Sequence, residues 1–276
     1  MDNDYAANRD EQDTPPEVFL LRRAAAYQAF YEHMPLRPSQ FPAGPDLTLY
    51  RRLTFGSLVD FSVLDTRQYR SNQACEGGAE PGCAELRDDR RTVLGTAQER
   101  WLFEALGRVR AHWTVIGQQV PLFARDLGPD SASGRVSTDK WDGYPVARDR
   151  LIARLVETRA ANPIVLSGDV HVHFGADLQR DFSRPESAAI GSEFTNTSAT
   201  SGGDGADVSA NWKVVGPLNP HIKYHSARRG YVSCTVTPAT FRADFKVLDR
   251  VTVPGAPAKT DGSLVVEAGK AGAVRA

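Results

Sequence analysis

No stretch of the 276-residue sequence approaches the roughly 18 consecutive apolar residues of a membrane-spanning helix. An excess of one charge is also missing. Lys and Arg number 33 against 34 Asp and Glu, a formal net charge of -1. No global field therefore favours nucleic acid or an anionic membrane, although a local basic pocket for an anion stays open. The first residues, MDNDYAANRDEQDTPPE, are acidic and polar, the reverse of a signal peptide. Read literally, such a chain stays in the cytoplasm. Internal repeats are absent, and cysteine is scarce, with three in all. Cys75 and Cys83 bracket the loop EGGAEPG at a separation that a disulfide can close, a bond that needs an oxidising compartment; their spacing matches no common zinc pattern. Cys234 lies in an apolar run, where a buried free thiol is the usual reading. What remains is ordinary for a globular protein: 41% hydrophobic and 24% charged residues, enough to bury a sizeable core.

Apolar positions at a period near 3.6 predict a helix from Glu17 to His33, ended by Met34-Pro35-Leu36-Arg37-Pro38. Two strand-like runs, 47–55 and 59–66, are joined by Gly56-Ser57-Leu58 as in a hairpin. After a polar loop over 71–94, Thr96 and Glu99 form a plausible capping box for a helix to about Val109. A short strand at Trp113–Ile116, an irregular stretch over 124–145, a helix over Val146–Ala160 and a strand at Ile164–Leu166 follow. Residues 183–220, rich in Ser, Gly, Asn and Thr, read as a long loop at a binding face. Gly230–Thr237 and Thr240–Leu248 are β-rich, and the Gly/Ala-rich tail reads as a loose strand with 271–276 frayed. Strands mixed with helices, including an antiparallel pair, indicate α/β or α+β layers.

The segment Pro163-Ile-Val-Leu-Ser-Gly-Asp-Val-His-Val-His173 carries the most chemistry. An apolar strand ends at Ser167-Gly168 and delivers Asp169, His171 and His173 at its C-terminal end, where ligands collect in open α/β sheets. On an extended backbone, side chains at i and i+2 share a face, and these three form an O/N set suited to hard or borderline cations. The alternative is that Asp169 caps a turn and the histidines are strand residues.

LSGDVHVHF resembles the GDVH block of the PhoD-like alkaline phosphatase family, a branch of the calcineurin-like metallophosphoesterases. LDTRQYR (64–70), TAQERWLFEAL (96–106), WTVIGQQVPLF (113–123), DGYPVARDRL (142–151), EFTNTSATSGG (193–203), NPHIKY (219–224), RGYVSCTVTP (229–238) and VPGAP (253–257) are similar to further family blocks, in the family's order. Met1-Asp2-Asn3-Asp4-Tyr5 looks like the end of the family's W-D-D-H-E-V-x-N block. The resemblance implies that residues 1–270 form the C-terminal part of a four-layer α-β-β-α sandwich. The N-terminal half, with an export signal and several metal ligands, would precede them.

The same resemblance implies ferric iron and calcium as cofactors, with His171 on iron and Asp169 at the calcium part of the site. Asn3 matches an Asn that is a plausible calcium ligand; Gln118 and Gln119 stand where related enzymes place a histidine ligand, with Gln119 a candidate whose amide oxygen suits calcium better than zinc, and His173, a further candidate ligand, occupies a position that varies in the family. His221, beside Lys223 in NPHIKY, is a candidate to meet substrate phosphate or to serve its loop structurally. Arg67 and Arg70 are candidates for bidentate phosphate binding. Glu193 would shape the pocket floor, Asp65 reads as structural, and Trp141, Asp142 and Tyr144 would line the mouth. His225 has no motif partner. The implied activity is hydrolysis of small-molecule or phospholipid phosphate esters, with no nucleic-acid surface; a phospholipase D-like diesterase and a non-catalytic fragment are the other readings. A full-length member would be exported to the cell envelope or beyond.

Overall fold

The computed structural model describes residues 2–77, 82–128 and 135–276. Three apolar runs rich in β-branched and aromatic residues become neighbouring parallel strands: β2 (Val59–Val63), β3 (Trp113–Gly117) and β4 (Ile164–Ser167). A fourth parallel strand, β6 (Ala189–Thr195), pairs with β4. β1 (Arg51–Phe55) closes one edge as an antiparallel hairpin with β2, as the turn residues predict. On the other side β5 (His173–Gln179) pairs antiparallel with β6 and with the first half of the 15-residue β8 (Ile222–Val236). The second half of β8 starts a second antiparallel sheet with β9 (Thr240–Leu248), β10 (Ala258–Glu267) and β11 (Val274–Arg275). The two-residue β7 (Gly205–Ala206) pairs with the middle of β8.

Alternation along the strands sorts side chains into two cores. Ile116 and Val165 face helices α2 (Gly95–Leu106) and α3 (Pro145–Glu157), packing with Leu102, Leu106, Leu151 and Leu155. Val115 and Ile164, one residue earlier on each strand, face the second sheet and meet Phe241, Phe245 and Leu264. Phe194 stacks on Phe241, and Trp113 meets Phe241 edge-on while its indole N–H donates to Thr237 O at 2.7 Å. The sheets approach so closely that a Cβ on Gly175 would stand 2.2 Å from Leu264 Cδ1. Helix α1 (Pro16–His33) touches the remainder through a narrow stripe of Phe19, Arg23 and Tyr27.

Several expectations change. α2 begins at Gly95 with Leu94 as its cap, and no side chain caps it; Thr92 Oγ1 accepts the Gly95 N–H instead, and Glu99 pairs with Arg150. The stretch 183–220 is not one loop: it contains β6, β7 and the short α4 (Trp212–Val215). The tail is not frayed, because β11 pairs with β10 and Ala273 is fully buried. Cys234 is exposed rather than buried. Cys75 and Cys83 do form a disulfide. Residues 78–81, within that disulfide loop, and 129–134, within the expected irregular stretch, lie outside the described residues.

Candidate functional site

The parallel strands β2, β3 and β4 end at one edge, and the segments leaving them are stitched together. Leu64 N–H donates to Gly117 O at 2.8 Å, Gln118 N–H to Leu166 O at 2.9 Å, and Gly168 N–H to Gln119 O at 3.0 Å. Beyond β4 the backbone does not stay extended. Asp169 has φ 73°, with Val170 N–H donating to Gly168 O at 2.9 Å, and His171 has φ 55°. This is a tight γ-type turn, a strained conformation that persists at functional sites where surroundings over-determine it. Those surroundings include Arg229, which donates to His171 O at 2.8 Å and also binds the carbonyls of Gly202, Gly203 and Ala227.

Around Asp169 the structure gathers a charged cluster from distant parts of the chain. Arg67, leaving β2, donates to Asp169 Oδ1 at 3.2 Å, and Lys140 binds Asp169 Oδ2. Both cations also hold Asp139: Arg67 through two bonds of 2.6 and 3.1 Å, Lys140 through one of 2.6 Å. Arg70 reaches the same carboxylate at 2.6 Å, and Gln73 at 3.2 Å. The N-terminal turn enters through Asp4, whose carboxylate lies 3.5 Å from Arg67 and whose carbonyl accepts from Arg70 and Gln73. That turn is itself fixed, since Ala7 N–H donates to Arg67 O and Arg23 of α1 donates to Ala7 O. Burial would raise the Asp139 carboxyl, but Arg70, Arg67 and Lys140 outweigh it and hold it well below the usual carboxylate range. Asp4, burdened by burial and by the negative Asp139 beside it, is pushed up to about 6.

The expected site residues divide. Asp169 and His171 are both exposed at the turn, and Arg67 joins Asp169 directly. Asn3 is exposed in the N-terminal turn, one residue before the Asp4 that enters the cluster. His173 does not share their face. The positive φ values at residues 169 and 171 break the extended geometry, and its ring is fully buried edge-on to Phe245, with Nδ1 accepting Thr197 N–H at 3.3 Å. Its burial lowers its pKa to about 4.

Gln119 ties the segment after β3 to the one after β2. Its amide oxygen accepts both the N–H and the hydroxyl of Thr66, at 2.8 and 2.7 Å, and its NH2 donates to Leu64 O. Gln118 accepts the Trp141 indole N–H at 2.8 Å, which anchors the loop carrying Asp139 and Lys140. His221 bonds Ala124 O at 2.8 Å between Phe123 and Phe182, and burial lowers its pKa; it serves its loop. Lys223 donates to Ala273 O at 2.7 Å and pairs with Asp177, pinning the C-terminal segment to β5. Arg70, a candidate for phosphate binding, is buried with its guanidinium on Asp139, and Trp141, Asp142 and Tyr144 are buried rather than at a mouth.

Glu193, fully buried, accepts the N–H groups of Leu122 and Phe123 and the Ser167 hydroxyl, so it braces the ends of β3 and β4 from below. Burial pushes it up to about 7. A cavity of about 470 Å³ lies elsewhere, lined by Trp212, Tyr224, His225, Asp261 and Arg275. The strand-end cluster is the stronger candidate, because strained backbone and convergent charge coincide there. The sequence reading missed Asp4, Asp139 and Lys140. The last two stand just before the recognised DGYP block, and nothing in their spacing reveals that they fold back over the Asp169 turn.

The donor chemistry at this turn fits a cation. Positive side chains already hold both oxygens of Asp169, and the His171 imidazole is exposed two residues on. The number of donors makes this only part of a ligand set. Among the described residues, three convergent His, Cys, Asp or Glu atoms occur only at Cys75, Cys83 and Glu85, where the two sulfurs are joined as a disulfide.

Residues 1–245 match the PhoD-like phosphatase family. Alkaline phosphatase D of Bacillus subtilis is 47% identical over 272 residues, covering 99% of this chain and 46% of that protein. A solved structure of PhoD superposes with a TM-score of 0.95 at 47% identity, covering 99% of this chain and 52% of the other. The chain thus spans about half the length of the relatives it matches. With a family match over most of its length and a site built at the ends of its parallel strands, the chain belongs to the PhoD-like phosphatase family.

Proposed function

We propose that this chain provides the Asp169–His171 part of a metal-assisted site that hydrolyses phosphate esters. The observation that carries the proposal is the strained turn at the end of β4, with its exposed carboxylate and imidazole beside Arg67. Iron and calcium are the ions that the family resemblance favours, and the four-layer sandwich of a longer polypeptide belongs to the same proposal. Asp169 and His171 would hold metal, with Asn3 a further candidate. Such an ion supplies Lewis acidity at the phosphoryl group. The protein's own part is positioning and charge. Arg67 is held on Asp139 by both arms of its guanidinium, which fixes the edge it presents towards Asp169 and suits it to a phosphoryl oxygen. Small-molecule monoesters and diesters are the proposed substrates. The Cys75–Cys83 disulfide supports an exported, oxidising setting for the full-length form.

The test is turnover of p-nitrophenyl phosphate and bis-p-nitrophenyl phosphate with iron and calcium supplied. It is run on this chain and on a polypeptide of its relatives' length, each with and without Asp169→Asn. A loss of about 100-fold or more in kcat/KM is expected for D169N wherever the parent turns over. Undiminished turnover by D169N would sink the proposal.

A further inference from the structure

Arg125, beyond the end of β3, is held firmly by its backbone and poorly by its charge. The Leu122 and Phe123 N–H groups donate to Glu193, and His221 donates to Ala124 O. Arg125 N–H donates to Asp142 Oδ2 at 3.0 Å, and Asp126 exchanges two bonds with Asn219. The side chain is drawn inward, and burial lowers its pKa against the pull of Asp142. Yet among the described residues no carboxylate, carbonyl or hydroxyl lies within hydrogen-bond reach of the guanidinium. It lies over the Phe174 ring, with Cζ 5.5 Å from the centroid. A ring face is a weak partner for a cation and gives its N–H donors no acceptor.

The fully buried arginines are provided for. Arg23, Arg70 and Arg148 pair with Asp46, Asp139 and Asp142, and Arg229 with main-chain carbonyls. The acids nearest Arg125 are engaged: Asp142 Oδ1 is on Arg148, and Asp126 Oδ1 accepts Gly128 N–H at 2.8 Å. His225, which also meets Phe174, adds no second cation, because burial, helped by Arg125, lowers its pKa to about 4.

Strand register places Arg125 at the edge that carries the Asp169 turn. Ser167, Thr195, Phe174 and His225 are successive neighbours across β4, β6, β5 and β8. Strands stand about 4.8 Å apart, so Phe174 lies about 10 Å along that row from Ser167. None of the ion pairs around Asp169 and Asp139 includes Arg125. We infer that Arg125 is the cationic head of a second anion site at this edge, taking a small free oxyanion of the phosphate or sulfate type on the N–H edge of its guanidinium. The fixed backbone and the Phe174 wall hold that edge ready, and the oxyanion supplies both the countercharge and the acceptors that the protein withholds. The inference stands apart from the hydrolase reading, since it needs neither a metal nor turnover.

The experiment is calorimetric titration of inorganic phosphate into the parent chain, R125Q, R125K and R67Q. Melting temperature is followed on the same proteins with and without phosphate. R125Q should weaken phosphate binding by about tenfold or more, the scale of a lost charge-assisted pair, and R125K by less. R67Q should keep the binding event that depends on Arg125. Without phosphate R125Q should melt no lower than the parent, because the cation removed had no countercharge. Phosphate should raise the melting temperature of the parent more than that of R125Q. Equal phosphate affinity in the parent and R125Q overturns the inference. So does an R125Q that melts lower without phosphate and responds to phosphate as the parent does, the mark of a packing role over Phe174. Loss of ester hydrolysis with the phosphate results as expected removes only the hydrolase reading.

Discussion

Asp139 shows how one side chain can organise a charged site. It accepts from Arg67, Arg70, Gln73 and Lys140, and its own main-chain carbonyl accepts from Arg70 at 2.8 Å. Removing one partner of a buried ion network leaves the others uncompensated. Asp139→Asn is therefore expected to lower stability by about 3 kcal/mol, read as a shift in urea midpoint at unchanged slope. Glu193 gives a prediction in pH. Its pKa is raised to about 7 by burial, with the Asp142 charge adding a smaller push, while Ser167 and the Leu122 and Phe123 amides oppose it. A raised carboxyl contributes stability fully below the unfolded value, near 4.5, and that contribution is lost as pH rises through about 7. Melting temperature should thus fall between about pH 4.5 and 7, and Glu193→Gln should flatten that fall. A parallel decline in the parent and the variant would refute this assignment.

Individual elements were legible where the pattern was simple. The α1 period found the helix but not its buried face, which takes Arg23 and leaves Leu21 and Phe30 exposed. The β1–β2 hairpin could be read from its turn residues, and the apolar runs of β3 and β4 from residue type, because burial there follows hydrophobicity. β6 could not. Its inward positions include Ser192, Glu193 and Thr195, all fully buried, and Glu193 and Thr195 share hydrogen bonds with Ser167. A strand with a polar interior resembles a loop in sequence. The Asp169 turn failed for a related reason. The i, i+2 argument assumes extended backbone, and positive φ at non-glycine residues is set by tertiary contacts such as Arg229 on His171 O. At this scale Phe245→Ala on β9 removes a ring that meets Tyr224, Phe194 and His173 between the sheets. The expected loss is about 3–5 kcal/mol in equilibrium unfolding. Reduction of Cys75–Cys83, which closes a short loop, should lower stability by about 2–3 kcal/mol, seen as a lower melting temperature in dithiothreitol.

Across the whole molecule, the site was half readable. Asp169, His171 and Arg67 were found from one motif and one strand end. Asp4 and Asp139 lie 63 and 72 residues from Arg67, and Lys140 lies 29 residues from Asp169, so only the fold reveals that convergence. The same scale exposes a property of β8. Its first half pairs with β5 and its second with β9, so a single strand belongs to both sheets. Arg229, where the strand passes from one sheet to the other, grips the carbonyl of His171. The passage of β8 between the sheets is therefore tied to the backbone of the turn that carries the imidazole. Any partner that leans on the outer sheet would move this lever, and the turn at the end of β4 would feel it without a single residue of the first sheet being touched.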